Sequence, residues 1–253
     1  MFVQERRQLI SNLIQEKGTV LVKELSARFG VTEDCIRKDL ALLEQGGVLR
    51  RTYGGAVSAR KNPHLFDVEK RLDRDVVQKR AIAVKAAELV EDGDMIFLDI
   101  STSSLELAKL LFQQGRRVTV VSNMVAVIHE ASQVPGVQFI AVGGLLNRGG
   151  DGFTGSLSCQ LLTKFKFDKA FLGVVGIDGR SGAVYTYEAP DGDTKAAALS
   201  VSRRRYLLCE TMKFRQDGNY QYGTLREFDG AILDQPPAQD LVGLAKKQGI
   251  ELL

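Results

Sequence analysis

The chain has 253 residues, enough for one large core or for a small and a mid-sized one. With 44% hydrophobic and 26% charged residues it reads as a soluble globular protein. Its apolar runs, such as residues 95–98, are far too short to cross a bilayer, and the opening MFVQERRQL lacks the apolar stretch of a secretion signal, so neither a membrane partner nor export is expected.

The net charge of +3 is unevenly divided. Residues 1–62 hold eleven Lys and Arg against seven Asp and Glu, and the remainder holds 23 against 24. That is the sign expected of a small nucleic-acid module on a neutral body. Cys35, Cys159 and Cys209 are odd in number and far apart, which suits neither a disulfide framework nor a metal site and fits a reducing cytoplasm. No metal and no cofactor is called for.

In chain order, Leu9, Ile10, Leu13 and Ile14 give a first helix its apolar stripe, with Gly18 beyond its end. Val22, Leu25 and Phe29 mark a second helix, closed by Gly30. Phe29-Gly30-Val31-Thr32 has the length and glycine content of the turn in a helix-turn-helix. Thr32 suits the N-cap of a third helix. Ile36, Leu40 and Leu43 then line one side of that helix, and Asp34, Arg37, Lys38 and Ala41 the other. Gly46 and Gly47 end it, and residues 48–53 have β character, with Arg50 and Arg51 expected on opposite sides. A solvated surface helix followed by an ordinary hairpin would look similar when taken alone. Two preceding helices favour a winged helix that lays its third helix in a major groove.

Between residues 58 and 78 charges of both signs alternate around Pro63, as in a solvated connector, with a helix expected over 66–76. Beyond Lys79 helices and strands alternate. Strands are expected at 95–100, 118–122, 137–142, 170–175, 206–209 and 231–233, and helices at 82–90, 105–112, 124–131, 196–201 and 238–247. The order predicts a mainly parallel sheet covered on both faces, with ligands beyond the C-terminal strand ends.

Polar residues gather at those ends. Asp99 leads into Ser101-Thr102-Ser103-Ser104, four hydroxyls at a helix start, where one or two would serve for capping and the rest suit an anion. Ser122-Asn123 and Gly143-Gly144 follow the next two strands, and the glycine-rich stretch 147–156 reads as a mobile loop. Asp178 is expected at a strand end, where it can accept two hydroxyls. Glu188, Lys195 and Lys213 can add a carboxylate and cations, although each alone more often belongs to a solvated surface.

The stretch VTEDCIRKDLALLEQGGVLRRTYGGAV resembles the signature of the DeoR family of bacterial sugar-metabolism repressors. Cys35 stands where that family commonly has Thr, and Lys38 where a second Arg is usual. KRAIAVKAAELVEDGDMIFLD, VTVVSN, AVGG, DKAFLGVVGID and the Glu188–Lys195 pair resemble the family's sensor domain, a relative of ribose-5-phosphate isomerase and glucosamine-6-phosphate deaminase. The resemblance implies an α/β protein with a winged helix-turn-helix domain at 1–58, a linker at 59–78, and an isomerase-like, mainly parallel sensor domain at 79–253. It implies a double-stranded DNA operator read by Thr32, Glu33, Cys35, Arg37, Lys38, Arg50, Arg51 and Tyr53. It also implies a phosphorylated-sugar effector, with the phosphate on Ser101, Thr102, Ser103 and Ser104 and the polyol on Asp99, Asp178, Glu188 and Lys195. Ser122, Asn123, Gly143, Gly144 and Lys213 would complete that cleft. The acidic trio Glu188, Asp191 and Asp193, and Cys209-Glu210-Thr211-Met212 before Lys213, depart from the family pattern and imply an unusual effector.

A homo-oligomer presenting paired winged helices to repeated half-sites follows from the same resemblance. An isomerase would need a base such as Glu188, but His64 and His129 show no triad or metal spacing. A catalyst would also have no use for a basic winged helix, so an enzyme is not expected. An architectural DNA-binding protein would leave the polar strand ends unexplained.

Overall fold

The computed structural model describes residues 3–17, 19–46, 48–58, 75–216 and 218–253 and divides into two compact units, Met1–Lys61 and Asn62–Leu253. Residues 66–74 of the helix expected over 66–76, and most of the connector, fall outside the described residues.

In the first unit α1 (Val3–Lys17), α2 (Val22–Phe29) and α3 (Glu33–Gln45) pack around Ile10, Leu13, Ile14, Leu25, Ile36 and Leu40. A strand that periodicity did not reveal, β1 (Thr19–Leu21), joins β2 (Leu49–Thr52) and β3 (Gly55–Ser58) in a three-stranded antiparallel sheet of order β1-β3-β2. Three residues are too few to show alternation, yet Val20 is buried in the core. Two glycines make the wing. Gly54 turns with φ +81°, and a Cβ on Gly55 would lie 2.2 Å from the Val20 carbonyl oxygen. The turn is tied back by Val22, whose N–H donates to the Gly54 carbonyl at 2.9 Å.

The second unit is built on seven parallel strands in the order β15-β14-β12-β9-β4-β5-β6. These are β4 (Met95–Leu98), β5 (Thr119–Ser122), β6 (Gln138–Ala141), β9 (Phe167–Gly173), β12 (Ser202–Cys209), β14 (Gly230–Leu233) and β15 (Glu251–Leu252). Side chains alternate between two cores. Phe97, Ala170, Leu172, Leu207 and Ala231 enter one, while Ile96, Leu98, Phe171, Leu208 and Ile232 enter the other. Helices α4 (Val76–Glu88), α5 (Thr102–Gln113) and α6 (Val125–Ser132) contribute to the second core, and α8 (Ala189–Ser200) and α9 (Gln239–Gln248) to the first. Both faces are therefore covered, which is why the central strands read as unbroken apolar runs.

Two insertions were not legible as elements. The stretch 147–156 is not merely a loop: β7 (Leu145–Leu146) and β8 (Phe153–Thr154) pair antiparallel, and Gly155 then caps α7 (Ser156–Leu162). Farther on, β10 (Gly176–Ile177), β11 (Ala183–Thr186) and β13 (Tyr220–Thr224) form a separate antiparallel sheet. From β4 the chain fills the sheet outward through β5 and β6, then returns to β9 on the other side of β4 and builds outward again. The direction of winding thus reverses between β4 and β9, where a doubly wound sheet opens a crevice beyond its carboxyl ends.

Candidate nucleic-acid interface and effector crevice

Thr32 caps α3: its Oγ1 accepts from the Cys35 N–H at 3.3 Å and donates toward the Cys35 sulfur at 3.2 Å. This cap leaves Cys35, Asp34, Arg37 and Lys38 exposed. Arg37 donates through one terminal nitrogen to Glu33 at 2.7 Å and through the other to Asp34 at 2.8 Å. It also lines an open groove between α3 and the wing with Val22, Leu40, Arg51, Thr52, Tyr53, Gly54 and Gly55. On the wing Leu49 turns inward, and Arg50 and Arg51, consecutive on β2, are both exposed. The Arg51 backbone N–H donates to Glu44 at 2.7 Å, which ties the wing to α3. Tyr53 stands fully exposed at the turn.

Not all of the basic excess faces outward. The carboxylate of Asp39, 2% exposed, accepts from Arg6 Nε at 2.7 Å and Arg7 Nε at 2.8 Å, so two arginines of α1 hold α3 in place. The apolar stripe of α3 thus includes a buried carboxylate that side-chain periodicity misses.

In the second unit the crevice between β4 and β9 is organised around Asp99. Its Oδ2 accepts from the Gly173 N–H at 2.8 Å and pairs with the Lys195 ammonium, and its Oδ1 accepts from Ser104 Oγ at 2.7 Å. Ser101 is the N-cap of α5, accepting from the Ser104 N–H at 3.1 Å. Two of the four hydroxyls therefore have local duties, capping and orienting Asp99. Thr102 and Ser103 stand at the opening of the helix, where its dipole favours an anion.

Lys195 reaches Asp99 from α8 and lies 3.8 Å from Asp191, one turn earlier on the same helix. Burial opposes the Lys195 charge, but Asp191, Asp99 and, more weakly, Asp151 outweigh it and hold its pKa above the usual lysine value. Asp191 Oδ2 also accepts from Thr186 Oγ1 at 2.6 Å. Tyr222 closes the floor, donating to the Gly173 carbonyl at 3.0 Å with its ring 5.8 Å from the ammonium. Burial pushes the Tyr222 hydroxyl well above its ordinary pKa.

The other expected residues divide. Ser122, at the end of β5 beside β4, accepts from the Met124 N–H at 3.1 Å and closes a local turn. Asn123 donates to the Phe153 carbonyl at 2.7 Å, while its Oδ1 is buried without a hydrogen-bond partner. The Gly143 carbonyl accepts from Ser158 at 2.9 Å, and Gly144 leaves room for that serine, so the pair seats α7. Glu188 is the residue before α8. Lys213 pairs with Glu210 at 2.5 Å just beyond β12. Burial opposes its charge, and Glu210, with a smaller share from Asp99, more than offsets it.

Asp178 is not brought to this cluster. It lies in the far turn of the β10–β11 hairpin, accepting from the Arg180 N–H at 2.9 Å and Ser181 Oγ at 2.7 Å. Its own N–H donates to the Ala183 carbonyl at 2.9 Å. The rise from Ala183 to Thr186 sets it about 10 Å from the Thr186 end that faces Asp191. Those turn hydrogen bonds hold its carboxyl below the usual pKa.

Comparison with known proteins assigns both units. A model described as the DeoR C terminal sensor domain matches residues 74–235, and a DeoR-like helix-turn-helix domain matches residues 6–62. This chain belongs to the DeoR family of transcriptional regulators. The lactose phosphotransferase system repressor of Staphylococcus epidermidis is 30% identical to it, over 98% of this chain and 96% of that protein. The repressor GlcR of Bacillus subtilis is 29% identical over 100% and 96%. The regulator YulB of the same species is 36% identical over 72% and 70%. Among solved structures, ribose 5-phosphate isomerase A from Methanocaldococcus jannaschii aligns at a TM-score of 0.40, 14% identical over 54% of this chain and 53% of that one. In this DeoR-family regulator no helix of the described residues is long and apolar enough to cross a membrane.

Three residues of the regulator's crevice, Thr186, Gly173 and Tyr222, were not picked out from sequence, and Asp191 entered there only as one of an acidic trio. Only Asp191 carried a signal, its i,i+4 spacing to Lys195, which would place both on one face of a helix. The others arrive through strand pairing.

Proposed function

We propose that this regulator represses genes of carbohydrate metabolism in the cytoplasm, and that a phosphorylated sugar in the β4–β9 crevice alters its hold on a DNA operator. The observation that carries the reading is the Asp99–Lys195 pair at the reversal of the sheet, beside the α5 N-terminus and the unpartnered Asn123 Oδ1. A phosphate fits the N–H groups and hydroxyls at Thr102 and Ser103. Sugar hydroxyls can donate to Asn123 Oδ1 and to the carboxylates of Asp99 and Asp191. Two relatives are named as repressors, one of a lactose phosphotransferase system, which supports the carbohydrate assignment.

On the DNA side Arg37 is assigned to a base edge and Lys38 to a phosphate. Arg50, Arg51 and Tyr53 contact the flanking backbone or groove from the wing, while Thr32, Glu33 and Cys35 shape the start of α3. Two copies of the chain would present paired units to repeated half-sites, and the effector must bind one arrangement of them more tightly than the other. Catalysis is not part of this reading, because the relatives above are named as regulators.

The test measures release of a duplex, selected from a random library by the wild-type chain, across a panel of phosphorylated sugars. At least one sugar should release or tighten the complex, and Ser103→Ala should weaken that response while leaving DNA affinity intact. If Ser103→Ala and Lys195→Ala both respond like the wild type, the crevice is not the effector site. Turnover of any sugar phosphate would restore the enzymatic alternative.

A further inference from the structure

Over its first two turns the exposed side of α3 carries no net charge, since Glu33 and Asp34 match Arg37 and Lys38. Within it Arg37 has one carboxylate on each terminal nitrogen, at 2.7 and 2.8 Å, although its side chain is 56% exposed. Glu33 and Asp34 occupy the first two positions after the Thr32 cap, and Arg37 stands one turn later. The guanidinium is thereby drawn toward the N-terminal end of α3, the part of a recognition helix that meets base edges.

Such a clamp has different consequences for the two things Arg37 can meet. A phosphate offers charge attraction, and the paired carboxylates both offset that attraction and repel the phosphate. A guanine edge offers two aligned acceptors and no net charge, so it loses less to the neighbouring carboxylates. The geometry points to Glu33 and Asp34 as specificity-determining residues: they hold Arg37 away from the phosphate backbone and yield it to a paired-acceptor base edge. This rests on the placement of α3 in the groove and adds a role for Asp34, together with a repulsive role for Glu33.

The experiment uses the full chain and two labelled duplexes, one of random sequence and one selected by the wild type, in anisotropy titrations over a salt series. Glu33→Gln and Asp34→Asn keep shape and remove charge. Each should raise affinity for the random duplex about threefold, and the double variant about tenfold, with a smaller gain on the selected duplex. The ratio of the two affinities should therefore fall, and a library selected by the double variant should show a less constrained consensus. In an Arg37→Ala background the same substitutions should lose most of their effect on the random duplex, because the clamp then has nothing to hold.

Equal gains on both duplexes, or gains that persist undiminished without Arg37, would reduce the two carboxylates to general repulsion and overturn the proposal. So would an unchanged ratio. A wild-type chain that loses no affinity on Arg37→Ala would instead sink the placement of α3, a distinguishable outcome. Thermal melts of each variant, monitored by helical circular dichroism, should match the wild type closely, which separates binding effects from loss of the helix start.

Discussion

Arg37 and Lys195 are each held by two carboxylates, but in opposite surroundings. Arg37 is 56% exposed, with Glu33 and Asp34 at 45% and 81%. Lys195 is 4% exposed, with Asp99 at 2% and Asp191 at 4%. In water the exposed pairs are worth little and exchange readily, so they bias a side chain without fixing it. In the crevice the charges have lost their hydration, and each partner is needed by the others whatever the pair contributes as a whole. On the proposed reading, the surface that meets DNA must release its cation, whereas the crevice can hold one tightly until a ligand substitutes for a partner.

The comparison breaks first in the crevice. Lys195→Ala leaves Asp99 and Asp191 buried without their cation and should cost the sensor unit about 3–5 kcal/mol in denaturant unfolding. A loss below about 1 kcal/mol would mean that water enters the crevice freely and that the burial contrast is wrong. Next comes Asp39, the buried carboxylate of the DNA-binding unit. Asp39→Ala strands Arg6 and should destabilise that unit by about 2 kcal/mol or more, unlike Arg37→Ala, which should stay within about 0.5 kcal/mol. Similar melting for the two variants would erase the distinction between structural and reading arginines.

Alkaline pH sharpens the same contrast more gently. The Lys195 pKa is raised above the ordinary lysine value of 10.5, so its contribution is fully present below that value and is lost as pH rises through the folded one. Lys213 and Tyr222, also raised, act with the same sign. The sensor unit should therefore lose stability in strongly alkaline solution, and Lys195→Met should show a shallower loss. A variant as steep as the wild type would move the titration elsewhere.

What the sequence by itself determined is whatever depends on neighbours a few residues apart. The stripe Ile36–Leu40–Leu43, the Thr32 cap and the stop at Gly46 were legible because helix period and capping are local. The central strands were legible because burial on both faces makes them apolar throughout. Asp99 and Ser101–Ser104 stood out because a parallel sheet sends its strand ends to one edge. Tertiary structure alone decided which of those polar residues meet. Lys195 is 96 residues from Asp99, Asp39 takes partners 33 and 32 residues away, and Tyr222 enters through an inserted antiparallel sheet. That insertion also places Asp178 in a hairpin turn, about 10 Å along β11 from Thr186. Pairing across such separations depends on strand order and hairpin length, and neither leaves a period in the sequence for side-chain patterning to reveal.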